Sequence, residues 1–114
     1  MLVTDPPYYD AVPYADLSDF FYVWLKRSLG KIHPMLFEND LTPKDLEVVQ
    51  LAERNPIYAF KTKDNFENLM CESLAEGRRI TQASGLAVIV FAHKTTSAWE
   101  VMLQAVISSG WIIV

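Results

Sequence analysis

The tetrapeptide Asp5-Pro6-Pro7-Tyr8 places a carboxylate, two residues without an amide hydrogen and an aromatic ring within four positions. Proline holds φ at about −65° and donates no backbone hydrogen bond. The residue before a proline is driven to extended conformations. Asp5 is therefore expected to be extended, with the Asp5 and Pro6 carbonyls facing no amide on the following residue. Such a corner offers acceptors only, with the Tyr8 ring beside them. Its chemical complement is a flat amine, such as the exocyclic amino group of a nucleobase. A plain turn is the simpler alternative, because Asp-Pro pairs commonly initiate turns.

The other chemistry-bearing residues are few. Tyr9, Asp10 and Tyr14 follow the tetrapeptide closely, and His93 and Lys94 lie in a second polar stretch. A single cysteine, Cys71, excludes an internal disulfide and a four-cysteine zinc site. His33 and His93 lack ligand spacing, so no metal site is expected. The 114 residues carry a net charge of −4 and a sequence pI of about 5.0, which argues against this chain alone gripping a phosphate backbone. Hydrophobic residues make up 51% and charged residues 21%, enough apolar matter for a packed core. No apolar run reaches membrane-spanning length and the N-terminus lacks a signal-peptide pattern, so a cytoplasmic protein is expected.

Elements must carry these residues to one place. Met1 to Thr4 fits the end of a strand. Asp16 to Gly30 predicts a helix, with Asp16 as N-cap, Gly30 as stop, and Leu17, Phe20, Phe21, Trp24, Leu25 and Leu29 at helical spacing. Thr42-Pro43 predicts a second helix running to about Arg54. A third opens at Thr62 or Asp64, with Phe66, Leu69, Met70 and Leu74 on one face and Gly77 near its end. Gly85 to Ala92 predicts a strand covered on both faces, since residues 86–91 are continuously apolar. Ser97 to Ser109 predicts a fourth helix with a Ser97/Glu100 capping box. Trp111 to Val114 predicts the start of another strand. This order implies an α/β fold with a partial, mostly parallel doubly wound sheet, whose ligands sit beyond the carboxyl ends of the strands. Residues 5–8 and 93–96 occupy two such ends. Residues 1–114 read as one partial domain, truncated at both margins of its sheet, and the exposed edges predict a homo-oligomer.

The stretch from Thr4 through Phe21 to Trp24-Leu25, together with Phe91-Ala92-His93-Lys94-Thr95-Thr96-Ser97-Ala98-Trp99-Glu100, resembles a branch of large DNA methylases. Asp5-Pro6-Pro7-Tyr8 resembles the catalytic motif of the amino-methyltransferases. The resemblance covers most of the chain. It implies a Rossmann-like methyltransferase domain, S-adenosylmethionine as cofactor, DNA as partner and N6 of adenine as target. Asp5, Pro6, Pro7 and Tyr8 would then be catalytic, acting on a base turned out of the duplex. Tyr9, Asp10, Tyr14, His93 and Lys94 would be substrate-binding candidates. Members of this class hold the cofactor with a glycine-rich loop and an acidic residue. Neither is recognisable here: Gly30, Gly77, Gly85 and Gly110 all read as element termini, and the cofactor-binding residues stay unassigned. Aspartate at the first motif position favours adenine over cytosine N4, where serine is more frequent, and over a glutamine amide, where asparagine stands. An RNA or protein substrate, and a non-catalytic methyltransferase fragment or interaction module, are the alternatives.

Overall fold

The computed structural model describes residues 1–114 as an α/β chain. Its elements are β1 (Leu2–Thr4), α1 (Tyr14–Leu29), α2 (Lys63–Ile80), β2 (Ala87–Ile89) and α3 (Thr96–Ser108), with short 3-10 helices at Pro34–Phe37 and Pro56–Tyr58. The chain divides into two compact units, residues 1–12 with 48–114, and residues 13–47.

In the first unit β1 and β2 pair in parallel, with Leu2 opposite Ala87, Val3 opposite Val88 and Thr4 opposite Ile89. Two further bonds, Leu2 N to Leu86 O at 3.0 Å and Val90 N to Thr4 O at 2.9 Å, extend the ladder by one step at each end. The strand expected over Gly85–Ala92 is shorter than the sequence suggests. β1 limits it, because Pro6 and Pro7 have no amide with which to continue pairing. The expected cover on both faces of β2 is also absent. Ile89 and Phe91 pack against the helices, whereas Val3, Val88 and Val90 remain about half exposed or more.

The core of this unit lies between α2 and α3. Phe66, Met70 and Leu74 recur every four residues on α2 and meet Val101, Met102, Ala105 and Val106 of α3. Complete burial of side chains of this size contributes about 1.5–3 kcal/mol each. The α2 N-cap is Thr62, the earlier of the two starts the sequence offers, whose side chain accepts from Asn65 N. Gly77 lies inside α2 rather than at its end. A Cβ there would stand 2.8 Å from Leu2 Cδ2, the movable tip of a β1 side chain.

The N-cap of α3 is Thr95, not Ser97. Thr95 has extended backbone and its hydroxyl accepts from Ala98 N, while Ser97 is already helical and donates to Thr95 Oγ1. At the other end Gly110 adopts φ 85°, a left-handed stop that any other residue would strain. The strand expected at Trp111–Val114 does not form. Trp111 is anchored to α2 instead, donating from its indole to Leu74 O at 3.0 Å under the Arg78 guanidinium.

In the second unit α1 begins at Tyr14, two residues before the predicted cap. Its first turn is satisfied from a distance, by Glu47 Oε1 accepting from Ala15 N at 2.8 Å. No residue of α1 is buried. The helix expected from Thr42 to Arg54 is also absent, because tertiary bonds claim its would-be cap. Thr42 Oγ1 donates to Ala15 O and to the Asp19 carboxylate, and Thr42 N donates to the same carboxylate. Further along, in the first unit, Val49 and Leu51 are buried in an irregular segment. There Gln50 N donates to Tyr9 O, and Leu51 N and Ala52 N both donate to Lys61 O. No helix of the chain is long and apolar enough to cross a membrane.

Candidate functional site

Parallel pairing puts the carboxyl ends of β1 and β2 at the same edge of the sheet. The chain leaves β1 at Thr4 and enters the Asp5–Tyr8 corner at once. Asp5 is exposed, and no backbone amide donates to the Asp5 or Pro6 carbonyl. The next carbonyls turn back on the chain: Pro7 O accepts from Tyr9 N at 3.1 Å and Tyr8 O from Ala11 N at 2.9 Å. Tyr9, at φ 54°, makes this turn possible and is the chain's one non-glycine residue in the left-handed region. An L-residue with a side chain pays roughly 1–2 kcal/mol for that conformation, so the surroundings must hold it.

Aromatic packing supplies part of that hold. The Tyr9 ring stands edge-on to Phe66 in the core (centroids 5.2 Å apart) and edge-on to His93 (5.9 Å). Tyr8 meets Phe91 edge-on at 5.5 Å, and Phe91 meets Trp99 at 5.1 Å. Residues just beyond β2 therefore buttress both tyrosines of the corner. Asp10 completes the link, with Oδ1 2.7 Å from His93 Nε2 and Oδ2 3.3 Å from an Arg54 guanidinium nitrogen.

Burial pushes the Tyr9 phenol above its usual value, and Asp10, Glu53 and Glu67 add to the shift in that order.

Of the sequence-predicted residues, the structure brings together Tyr8, Tyr9, Asp10 and His93 and puts Asp5, Pro6 and Pro7 on the adjoining turn. Lys94 is exposed on the loop after β2. Tyr14 is the first residue of α1, in the second unit. Sequence reasoning did not single out Arg54, which lies 44 positions from its partner Asp10 and carries no local signal. It also missed the capping role of Thr95.

A separate cavity of about 540 Å³ lies against β2 and α3, lined by Leu86, Phe91, Trp99, Trp111 and Arg78 among others. It shares Phe91 and Trp99 with the aromatic chain at the corner; none of residues 5–8 lines it. The glycines offer no cofactor cradle. Gly30 follows α1, Gly77 lies within α2, Gly85 precedes β2 and Gly110 follows α3, so none joins a strand to a following helix. The corner presents free backbone carbonyls, and no glycine-rich loop joins a strand to a following helix. No protein-family model matches the chain, and no curated protein or solved structure matches it.

Proposed function

We propose that the Asp5–Tyr8 corner binds an exocyclic amine for methylation dependent on S-adenosylmethionine, with N6 of adenine in DNA as the target. In this reading the chain is the catalytic-motif half of a Rossmann-like methyltransferase, and the residues that hold the cofactor lie elsewhere. The observation that supports it is the parallel β1–β2 pair, whose carboxyl edge carries the acceptor corner and its aromatic buttress together.

The resemblance to the amino-methyltransferases implies the chemistry of the corner. The Asp5 carboxylate and the Pro6 carbonyl accept hydrogen bonds from the amino group and draw its lone pair out of conjugation with the ring. The Tyr8 ring stacks on the base, which must leave the duplex because its amine is unreachable while paired. Asp5 stabilises positive charge developing on nitrogen, and the ammonium-like product loses its proton afterwards. S-adenosylmethionine supplies the electrophilic methyl group. Removing Asp5 with alanine is expected to abolish transfer; Tyr8→Phe should be mild and Tyr8→Ala severe. Incubation of an intact enzyme, in which this segment is joined to its cofactor-binding residues, with labelled S-adenosylmethionine and unmethylated DNA tests this, with RNA and protein as competing acceptors. Label in N6-methyladenine that disappears in Asp5→Ala supports the reading. Full activity in Asp5→Ala refutes the role of Asp5.

A non-catalytic interaction module is the second reading, supported by the missing glycine-rich loop. It predicts no transfer to any acceptor. Both readings share an expectation of self-association, because Val3, Val88 and Val90 expose apolar surface on the open sheet face. A stable monomer by light scattering at about tens of micromolar, the range of weak-to-moderate association, would contradict it.

A further inference from the structure

His93 is the most thoroughly bonded polar side chain at the sheet edge. Its Nε2 lies 2.7 Å from Asp10 Oδ1, and its Nδ1 lies 3.2 Å from Thr95 N and 3.0 Å from Thr95 Oγ1. A backbone amide only donates, so Nδ1 is the acceptor nitrogen and Nε2 carries the proton given to Asp10. Both nitrogens are thereby engaged within the chain, and the side chain is only 13% exposed. Its backbone carbonyl is engaged as well, accepting from the Trp99 indole at 3.2 Å.

We infer that His93 is a positioning residue, which pins the turn carrying the acceptor corner to the N-cap of α3. This rests on the reading of residues 5–8 as an amine site, and it assigns His93 a place behind that site in preference to a direct contact with the amine. Three features carry it. Asp10, the partner of His93, directly follows Tyr9, the residue held in the left-handed region. The two oxygens of Asp10 are held by two different segments, the loop after β2 and the irregular segment at Arg54. The His93 ring also packs edge-on to Tyr9 itself, so the strained residue is held from its side chain and from its neighbour. A pin of this kind preorganises acceptors that must meet an amine in one geometry. Thr95 closes the system, because the hydroxyl that meets His93 Nδ1 is the one that caps α3.

Long-range ¹H–¹⁵N spectra of the imidazole in the intact chain test the pin without any activity. The ring is expected to be protonated at Nε2 when neutral, and Asp10→Asn should relax that preference while leaving the chain folded. A ring protonated at Nδ1 in the unaltered chain would overturn the inference. The second arm measures affinity for a single-stranded oligodeoxynucleotide containing one adenine. His93→Phe fills the same space without the hydrogen bonds and should weaken binding about tenfold or more, with shifts at Tyr8, Tyr9 and Asp10. His93→Gln can still donate to Asp10 and should restore most of the loss, which a purely space-filling role would not produce. Unchanged affinity and unchanged Tyr8 and Tyr9 resonances in both His93→Phe and Asp10→Asn would refute the pin. If the unaltered chain binds no oligonucleotide, the amine-site reading fails, while the tautomer and the Tyr8 and Tyr9 resonances still decide the role of His93.

Discussion

α1 and α2 are of similar length and both amphipathic, yet they end in opposite situations. α1 carries the stronger aromatic stripe, with Phe20, Phe21 and Trp24, and buries none of its residues. α2 has a more polar sequence and buries Phe66, Met70 and Leu74 almost completely. The difference is the partner. α2 has α3 and the inner face of a sheet against it, whereas the unit around α1 is organised by polar bonds among Asp19, Thr42, Lys44, Ala15 and Glu47. Apolar periodicity makes a helix face; a second apolar surface turns that face into a core.

The sharpest way to break this contrast is Phe66→Ala. It should cost about 3–5 kcal/mol, the usual range for a buried phenylalanine, and denaturant titration would show it. A loss under about 1 kcal/mol would mean that the α2–α3 interface is not the core. The cap of α3 comes next. Thr95→Ala should cost about 1 kcal/mol, and Ser97→Ala no more than about 0.5 kcal/mol. The reverse order would restore the capping box read from the sequence. On the α1 side, Trp24→Ala should change stability by about 0.5 kcal/mol or less, despite the Arg27 guanidinium 5.2 Å from its ring. A loss comparable to that of Phe66→Ala would show that the face of α1 is covered in solution.

The polar organisation of the second unit has its own signature. Hydrogen bonds from Lys44 and Thr42 hold the Asp19 carboxyl at about 2, below its usual 3.8. The folded value is the lower one, so this network stabilises fully above pH 3.8 and its contribution is lost as pH falls through about 2. A carbon-detected NMR titration of Asp19 should therefore give a midpoint near the lower value, and Lys44→Met should raise it. A midpoint at the unperturbed value would show that the network does not form.

Much of the architecture was legible in residue order. Phe66, Met70 and Leu74 announce α2, Thr62 or Asp64 its start, and residues 86–91 a strand. The parallel edge that joins the two polar loops follows from the alternation of strands and helices. Two of the differences have one physical cause: a local group, polar or apolar, takes a partner far along the chain. Thr42 has every mark of an N-cap, yet its hydroxyl serves Ala15 and Asp19 across the sequence. Trp111 has strand propensity, yet its indole is better satisfied by Leu74 O. At the site, Asp5–Tyr8 was visible as a motif because prolines write their constraints into the sequence. The left-handed Tyr9 and the Arg54–Asp10–His93 chain were not, because long-range pairs leave no spacing to read.

The central claim is that the corner at residues 5–8 recognises an amine through its hydrogens. An amide-resolved NMR titration of the chain tests it most directly, with two single-stranded oligodeoxynucleotides. One contains adenine and the other N6,N6-dimethyladenine, which keeps the stacking face and loses both donors. The account predicts saturable shifts around Tyr8 and Tyr9 with adenine, much weaker ones with the dimethyl base, and none with adenine when Asp5 is replaced by alanine. Equal response to the two oligonucleotides, or no response to either, would contradict it.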